Sequence, residues 1–507
     1  MPTSAFVAPF RFSRPAQLWL MAAFLVHALL GTLVGLSVDE AHYALYAVHL
    51  DWSYFDHPPL VGWLQWPLVA LGVPEGVLRL VAQVLWLLAV VLVHGLARRL
   101  QGGQTPVMHA RSDAGAWAVA VMALSPLLHV LGIGLLPDTL LMVLACAVMW
   151  VTLELREAAA LQRWQLWGAL GLLLGLAGLS KYTAILWALA VALCLLYWHG
   201  ARVLRQSGLW LAVLIAAACI VPVLGWNYRH QWISFAYQLQ HGSGGSWQGV
   251  HVLRFVVIQL LVYGPLFLAA GLGVRPRATV GVCSLAAFFV LPWGVLAVMA
   301  GGGTSLPHWT APAWVCLAPF AGLGLAAVRT RAGQWLRASL AGLQALACVA
   351  LLGLMVTAGQ PWLNQAQGQG NSAQPSNPFA DVHGWDRAGQ RAREWAQQEG
   401  LTSVSVQNWT LASRLGWYAR PLPVHVLEDR FDQFTLWAGP LPAGGATLLV
   451  DWSQLGYEVP LGTHGFTHCA LRETLPVQRL GATIATFRFY ACKGWSGVPR
   501  PQLRGAS

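Results

Sequence analysis

The sequence has few charged residues, and acidic side chains are almost absent over long stretches. Only 10% of its 507 residues are Asp, Glu, Lys or Arg, against about 25% in ordinary soluble domains. Between Ala114 and Ala380 the only acids are Asp138, Glu154 and Glu157. Because 57% of the residues are hydrophobic, the composition excludes a chain of several soluble domains, although the length alone would allow one.

Patterns typical of zinc sites and of nucleic-acid binding are also missing. No CxxC pair occurs, which disfavours a structural zinc site. The formal net charge is +11, but the Arg residues form short clusters between apolar runs, so nucleic acid is not expected as a partner. Of the eight cysteines, only Cys469 and Cys492 lie outside apolar runs, and we predict that they form a disulfide in an oxidising compartment.

Apolar runs of about 20 residues, the length that crosses a bilayer, recur from residue 18 to residue 358. They predict a polytopic all-α membrane protein with about eleven transmembrane helices and an uncleaved first helix. The predicted spans are 18–36, 77–97, 115–135, 139–155, 164–180, 183–198, 208–227, 252–274, 279–300, 311–328 and 339–358.

Arg-rich loops alternate with loops that hold one basic residue or none, and the positive-inside rule assigns the Arg-rich loops to the cytoplasm. The N-terminus is then cytoplasmic. The predicted outer segments are 37–76, 137–138, 181–182, 228–251, 301–310 and all residues after 358.

The composition changes after residue 358, which ends the predicted transmembrane domain, 1–358. Residues 359–378 are rich in Gln, Asn, Gly and Pro, which is typical of a linker. Residues 379–507 predict a small extracytoplasmic α/β domain. Its expected elements are a helix at 385–399 and strands at 403–406, 423–427, 447–451 and 483–490.

The interfacial first loop, 37–76, holds four acids between Asp39 and Asp56. Ser37 and Glu40 have the spacing of a capping box, which predicts the start of a helix. The residues that follow place Ala41, Leu45 and Val48 on an apolar face and His42, Tyr46 and His49 on a polar face, which predicts a short helix lying along the membrane surface. Asp39 and Glu40 then either start this helix or serve a reaction. One helix start does not need four nearby acids, and acids at a membrane–water boundary indicate a functional site.

Five stretches on the predicted outer face stand out: DEAHYALYAVHLDWSYFDHPPLVGWL (39–64), LPDTLL (136–141), GLSKYT (178–183), WNYRHQWISF (226–235) and LPHWTAP (306–312). Together they resemble bacterial glycosyltransferase family 39. This family includes aminoarabinose–lipid A transferases and protein O-mannosyltransferases. The D-H-P-P sequence resembles one branch of the family.

The resemblance implies a GT-C fold in a bacterial inner membrane, with a periplasmic C-terminal domain. It implies transfer of a sugar from a polyprenyl-phosphate donor to a lipid, glycan or protein acceptor. Asp39 matches an acid that acts as a base or orients the acceptor, and Asp138 matches a second essential acid. Asp39, Glu40 and Asp138 are therefore the candidate catalytic residues.

The same reaction requires cations that stabilise the leaving phosphate. Lys181, His57 and Arg229 are the candidates. His57 stands where the related E-K-P-P form has its Lys, and Asp56 stands where that form has a metal-contacting Glu, which implies a divalent metal ion at Asp56. Two simpler interpretations stay open. In one, Lys181 is a lysine that extends its ammonium to the membrane–water interface. In the other, Asp138 is a helix cap.

Two other functions stay open, a protein O-mannosyltransferase and a transporter or flippase of lipid-linked sugars. Transporters place ionisable groups near the bilayer midplane, often on broken helices. Here the acids cluster at the ends of the predicted spans, which favours an enzyme.

Overall fold

The structure, a computed structural model, describes residues 11–102, 113–243, 245–274, 283–303, 305–359 and 377–501. Most of the predicted linker, 359–378, lies outside these residues. The membrane unit comprises the described residues up to Leu29, Asp51–Leu64 and Gly76–Val349. The C-terminal unit comprises Leu30–Leu50, Gln65–Glu75 and the described residues from Ala350 onward. Two pieces of the first loop, which the sequence analysis assigns to the transmembrane domain, thus group with the C-terminal residues.

Helices form nearly all of the regular structure before residue 358. The α-helices are Arg14–Leu33, Val38–Val48, Leu60–Ala70, Glu75–Leu78, Leu80–Gly102, Ala114–Ala123, Pro126–Ile133, Pro137–Glu154, Trp164–Ser180, Ile185–His199, Ser207–Arg229, Ile233–Ser243, Gly249–Tyr263, Ala270–Gly273, Ala287–Ala300, Ala311–Ala327 and Arg331–Thr357. Short 3-10 helices are Ala158–Gln162, Tyr182–Ala184, Gly200–Arg205, Pro265–Ala269, Ser284–Ala286 and Pro307–Thr310.

The prediction of a polytopic membrane protein is confirmed. Within the described residues, 7 helices are long and apolar enough to cross a membrane, and two bent helix pairs raise the number to 9. The other two predicted spans, 164–180 and 279–300, correspond to the shorter apolar helices Trp164–Ser180 and Ser284–Ala300. The predicted number of about eleven therefore requires these two to cross as well.

Both bent pairs break next to a proline, which removes a backbone donor and clashes with the preceding turn. The first pair bends by 74° before Pro126, and the second by 98° at Pro265, where Gly264 has a φ of 94°. The buried Gln344 bonds to both breaks: its Nε2 donates to the Leu124 carbonyl (3.0 Å) and its Oε1 accepts from the Leu266 N–H (2.9 Å). One side chain thus satisfies backbone groups that lipid could not.

The predicted small α/β domain is confirmed. Among residues 377–501, its five strands are β1 (Val404–Val406), β2 (Val424–Val426), β3 (Thr447–Trp452), β4 (Phe466–Arg479) and β5 (Ala482–Trp495), in the sheet order β2-β1-β3-β5-β4. The first three strands are parallel, and β5 is antiparallel to both neighbours. Its helices are Pro378–Val382 (3-10), Trp385–Gln398, Trp409–Tyr418, Gln433–Trp437, Ser453–Leu455 (3-10) and Gly462–His464 (3-10).

The predicted disulfide between Cys469 and Cys492 is present, and the two residues pair directly across β4 and β5. Because it closes a loop of 23 residues, replacing both cysteines by Ala should lower the free energy of unfolding by about 3 kcal/mol. Thermal unfolding of the purified variant measures this loss. Thiol labelling of both cysteines in unreduced, denatured wild-type protein would contradict the bridge.

Glu428, just after β2, should make stability depend on pH. Burial, with the nearby charges of Asp432 and Asp429, raises the pKa of this carboxyl from 4.5 to about 7, against the opposing effect of Arg430. The folded state therefore holds a proton that the unfolded state has lost, so stability falls as pH rises from about 4.5 to 7. Replacing Glu428 by Gln should raise the melting temperature at pH 8 relative to wild type, and much less at pH 5. An equal shift at both pH values would contradict this assignment.

Candidate functional site

Asp138 and Lys181 form a buried ion pair in the membrane unit. Lys181 Nζ donates to both carboxylate oxygens of Asp138, at 2.8 Å and 2.7 Å. Only 2% of the Asp138 side chain and 8% of the Lys181 side chain are exposed. The alternative of a lysine that extends to the interface is therefore wrong. Two ions removed from water need such close pairing to offset their desolvation.

Helix ends place the two charged groups. Asp138 is the second residue of helix Pro137–Glu154, and Lys181 directly follows helix Trp164–Ser180. The Ser180 hydroxyl donates to the Pro137 carbonyl at 2.8 Å, which ties the two ends together. The side chain of Thr139, not that of Asp138, accepts the Leu136 N–H at 3.3 Å. The cap interpretation of Asp138 is therefore wrong, because its carboxylate faces Lys181 instead.

The turn Pro307–Thr310 supplies two aromatic rings that the sequence analysis did not single out as site residues. His308 Nε2 lies 3.8 Å from Asp138 Oδ2. Lys181 Nζ lies 5.4 Å from the centre of the Trp309 ring, within the range of a cation–π interaction. The pair thus becomes a cluster in which two potential cations share one carboxylate. The stretch LPHWTAP indicates that this turn belongs to the family pattern. It does not indicate that the turn contacts Asp138 and Lys181.

A buried polar network fixes the position of this turn. Gln259 Oε1 accepts from the Thr310 hydroxyl (2.5 Å) and from Trp314 Nε1 (2.7 Å). Gln259 Nε2 and the Tyr263 hydroxyl donate to the Pro307 carbonyl, at 3.2 Å and 3.0 Å. Satisfied buried networks are rigid, so His308 and Trp309 are held on a preorganised turn.

Asp56 and His57 lie side by side in the first loop, with 3.1 Å between His57 Nδ1 and Asp56 Oδ2. Gln238 Nε2 donates to the Asp56 carbonyl at 2.6 Å, which holds the loop. Among the described residues no group of three or more His, Cys, Asp or Glu side chains could hold a metal ion. Mg²⁺ can also bind through one or two carboxylates together with substrate phosphates, so the metal at Asp56 stays a prediction.

Arg229, the third candidate phosphate ligand, ends helix Ser207–Arg229 and is exposed. Within the described part of the chain, no hydrogen bond or ion pair fixes its side chain. Nearby, Trp226 Nε1 donates to Asp51 Oδ2 at 2.8 Å, a contact that the sequence analysis did not foresee. Asp51 therefore ties the first loop, five residues before the D-H-P-P sequence, to this helix.

Asp39 and Glu40 lie on helix Val38–Val48 in the C-terminal unit, and they have different surroundings. The predicted capping box is present: Glu40 Oε2 accepts the Ser37 N–H (3.0 Å) and Ser37 Oγ accepts the Glu40 N–H (3.3 Å). No hydrogen bond to the half-buried Asp39 carboxylate occurs among the residues that the structure describes. Glu40 thus starts the helix, which leaves Asp39 available for another role.

The same helix is buried on both faces, so the prediction of a helix lying on the membrane surface is wrong. His42 and Tyr46, on the predicted polar face, are 4% and 0% exposed. The helix packs against helix Trp409–Tyr418, and His42 Nδ1 lies 3.1 Å from the Ser413 hydroxyl. Amphipathic spacing does not distinguish a membrane surface from an aromatic protein surface.

The far end of this helix lines a cavity of about 350 Å³ in the C-terminal unit. Most of its lining is apolar, including Leu45, Val48 and Trp437, and its basic groups are His49 and Arg420. The His49 ring stacks on Trp437, with 4.8 Å between ring centres. Burial and the nearby Arg420 lower the pKa of His49, so Arg420 carries the positive charge near neutral pH.

Comparisons with known proteins give one consistent fold. Residues 56–226 match the family described as dolichyl-phosphate-mannose-protein mannosyltransferase. ArnT from Cupriavidus metallidurans has a similar structure in the apo state, with a TM-score of 0.60 and 17% identity over 96% of this chain and 98% of that chain. Its structure bound to undecaprenyl phosphate gives a TM-score of 0.61 at 17% identity, over 96% and 99%. The chain has the GT-C glycosyltransferase fold.

A curated relative supports the same resemblance. The lipid A galacturonosyltransferase RgtD of Rhizobium johnstonii is 26% identical over 237 residues, which are 46% of this chain and 47% of that protein. The chain therefore spans about half the length of the curated relative it matches. The resemblance to a GT-C glycosyltransferase, predicted from the five stretches, is confirmed.

Proposed function

We propose that this protein is a membrane glycosyltransferase that moves a sugar from a polyprenyl phosphate to an acceptor on the extracytoplasmic face. The observation that carries the proposal is the buried cluster of Asp138, Lys181 and His308 in a GT-C fold. Lys181 has three N–H donors and gives two hydrogen bonds to Asp138. The third N–H group of Lys181 remains to bind the phosphate of the sugar donor. His308 adds a second cation when it is protonated.

In this proposal Asp39 is the base or charge stabiliser for the acceptor nucleophile. A carboxylate that is not needed as a helix cap suits this role. As the new bond forms, it must accept a proton from the nucleophile or stabilise the positive charge that develops on it. Lys181, assisted by His57 and Arg229, stabilises the negative charge on the leaving polyprenyl phosphate. That ArnT is known bound to undecaprenyl phosphate supports this donor class.

For the acceptor we favour a lipid with an anionic head group. The relative RgtD is named as a lipid A galacturonosyltransferase. The cavity at the end of the Asp39 helix is mostly apolar and has Arg420 on its lining, which suits an acyl chain that ends near a phosphate or carboxylate. A protein acceptor, as in the family that residues 56–226 match, is the alternative.

The proposed location is a bacterial inner membrane, with the C-terminal domain in the periplasm. The disulfide between Cys469 and Cys492 supports this side, because disulfides persist in oxidising compartments. A periplasm-specific reporter fused after residue 501 should be active. Activity of a cytoplasm-specific reporter at the same position would reverse the assignment.

The test of the function is a lipid analysis by mass spectrometry. A deletion strain that carries wild-type protein should contain lipids heavier by one sugar residue than a strain that carries the Asp138→Asn variant. Parallel analysis of envelope proteins and surface glycans separates the acceptor classes. A transporter or flippase would change the side on which the donor accumulates without any sugar-modified product, and that result would overturn the proposal.

A further inference from the structure

The segment that leads into Asp39 is bonded mainly by the C-terminal α/β domain. Four successive backbone N–H groups, of residues 35–38, all have acceptors. In order these are the Val382 carbonyl (2.9 Å), the Tyr418 hydroxyl (2.8 Å), the Glu40 carboxylate (3.0 Å) and the Asp381 carboxylate (3.3 Å). Three of the four acceptors belong to residues that lie more than 340 positions further along the chain.

The two side-chain acceptors from the domain are themselves fixed. Asp381 pairs with Arg414, whose guanidinium carbon lies 4.1 Å from the centre of the Trp385 ring and 4.9 Å from that of the Trp452 ring. The Arg414 side chain is 1% exposed, so its charge depends on this pairing. Asp39 is close enough for its charge to act on both partners of the pair.

Tyr418 connects the segment to a second carboxylate. Its hydroxyl accepts the Leu36 N–H and donates to Glu75 Oε2 at 3.0 Å. The neighbouring Trp417 Nε1 donates to Glu75 Oε1, also at 3.0 Å. Gly35 allows this close approach, because a Cβ there would lie 3.0 Å from the Tyr418 hydroxyl and 3.2 Å from the Val382 carbonyl.

We propose that Tyr418 and Asp381 are positioning residues, through which the C-terminal domain sets the place of Asp39 for the transfer reaction. The inference rests on the proposed role of Asp39, and it gives the C-terminal domain a part in the reaction. The contacts act on the backbone directly before Asp39, so their loss moves the carboxylate rather than removing it. A displacement of about 1 Å can slow an enzyme by roughly 10²-fold.

The first test needs no enzyme activity. Tyr418→Phe keeps the ring and removes the hydroxyl that bonds to Leu36 and Glu75. Hydrogen exchange of the amides of residues 35–41 in the full-length protein should become about five- to tenfold faster, since one hydrogen bond contributes about 1 kcal/mol. The matched control is Tyr457→Phe, whose hydroxyl accepts from Asn408 Nδ2 (2.6 Å) inside the same domain. This control should leave exchange in 35–41 unchanged.

The second test is a double-mutant cycle on turnover. Tyr418→Phe alone should lower kcat about tenfold to 10²-fold, with little change in KM for the donor. In an Asp39→Asn background the same substitution should have no further effect, because the group that it positions has been removed. Tyr457→Phe should leave kcat within twofold of wild type.

The outcomes separate the inference from the proposed function. Unchanged hydrogen exchange in Tyr418→Phe, or an additive loss of kcat in the double variant, overturns the positioning role. If wild-type protein transfers no sugar, the proposed function fails. The exchange experiment then still decides whether the C-terminal domain holds the segment before Asp39.

Discussion

Replacing Lys181 by Met should abolish transfer and lower the thermal stability of the protein at the same time. Met removes the ammonium that donates to both oxygens of Asp138, and the buried carboxylate is left with the more distant His308, at 3.8 Å. Breaking a buried pair in this way costs about 3–5 kcal/mol. Thermal unfolding in detergent measures this loss. Binding of undecaprenyl phosphate, followed by native mass spectrometry, should weaken because the proposed phosphate ligand is absent.

A double variant separates the structural role of the pair from its chemical role. Lys181→Met with Asp138→Leu removes both charges, and buried pairs replaced by apolar residues often regain stability. We expect near wild-type unfolding temperatures and no transfer. The matched control is Arg99→Met, which breaks the pair with Glu154 on a surface where 43% of the Arg side chain is exposed. That loss should be at most about 1 kcal/mol. Substantial transfer by the stable double variant would refute the role of this pair.

The sequence predicts the helical spans well, because a run of about 20 apolar residues has few alternatives to a membrane helix. It does not predict how the bent spans are stabilised. Their prolines are visible, but the group that satisfies the exposed backbone is Gln344, which lies 220 residues from Leu124 and 78 from Leu266. Long-range contacts of this kind leave no local pattern.

The C-terminal domain shows the same limit. Four strands and the first helix show the periodicity that predicts them, but β4 does not, and the sequence analysis predicts no strand there. This strand lies at the edge of the sheet, and it contains Glu473 and Pro476, residues that edge strands tolerate and that single-sequence patterns exclude. The helix Trp409–Tyr418, which packs on the Asp39 helix, also had no clear signal.

For the site, the sequence identifies Asp138 and Lys181 as separate candidates. The structure shows that they form one ion pair. A separation of 43 residues hides the pair from any local pattern. His308 belongs to the stretch LPHWTAP but is not among the predicted site residues, because only its distance to Asp138 distinguishes it. The capping box is visible in the sequence, because its two members are only three residues apart. In the structure, Ser37 and Glu40 form this box.

Replacing Asp39 by Asn should lower the rate of transfer by about 10²–10⁴-fold and leave the unfolding temperature nearly unchanged. Asn has nearly the same size but carries no charge and cannot accept a proton at neutral pH. The helix keeps its start, because the capping box uses Ser37 and Glu40. Turnover and thermal unfolding of the purified variant, with donor binding as a third measurement, test each part of this expectation.

The matched control is Glu40→Gln, at the adjacent position of the same helix turn. The Gln amide oxygen can still accept the Ser37 N–H that Glu40 now accepts, and capping boxes accept Gln as well as Glu. We therefore expect this variant to keep most of its activity, with a stability loss below about 1 kcal/mol. If Asp39→Asn keeps more than about a tenth of wild-type turnover while Glu40→Gln loses it, the two acids have exchanged roles, and Glu40 is then the base that acts on the acceptor.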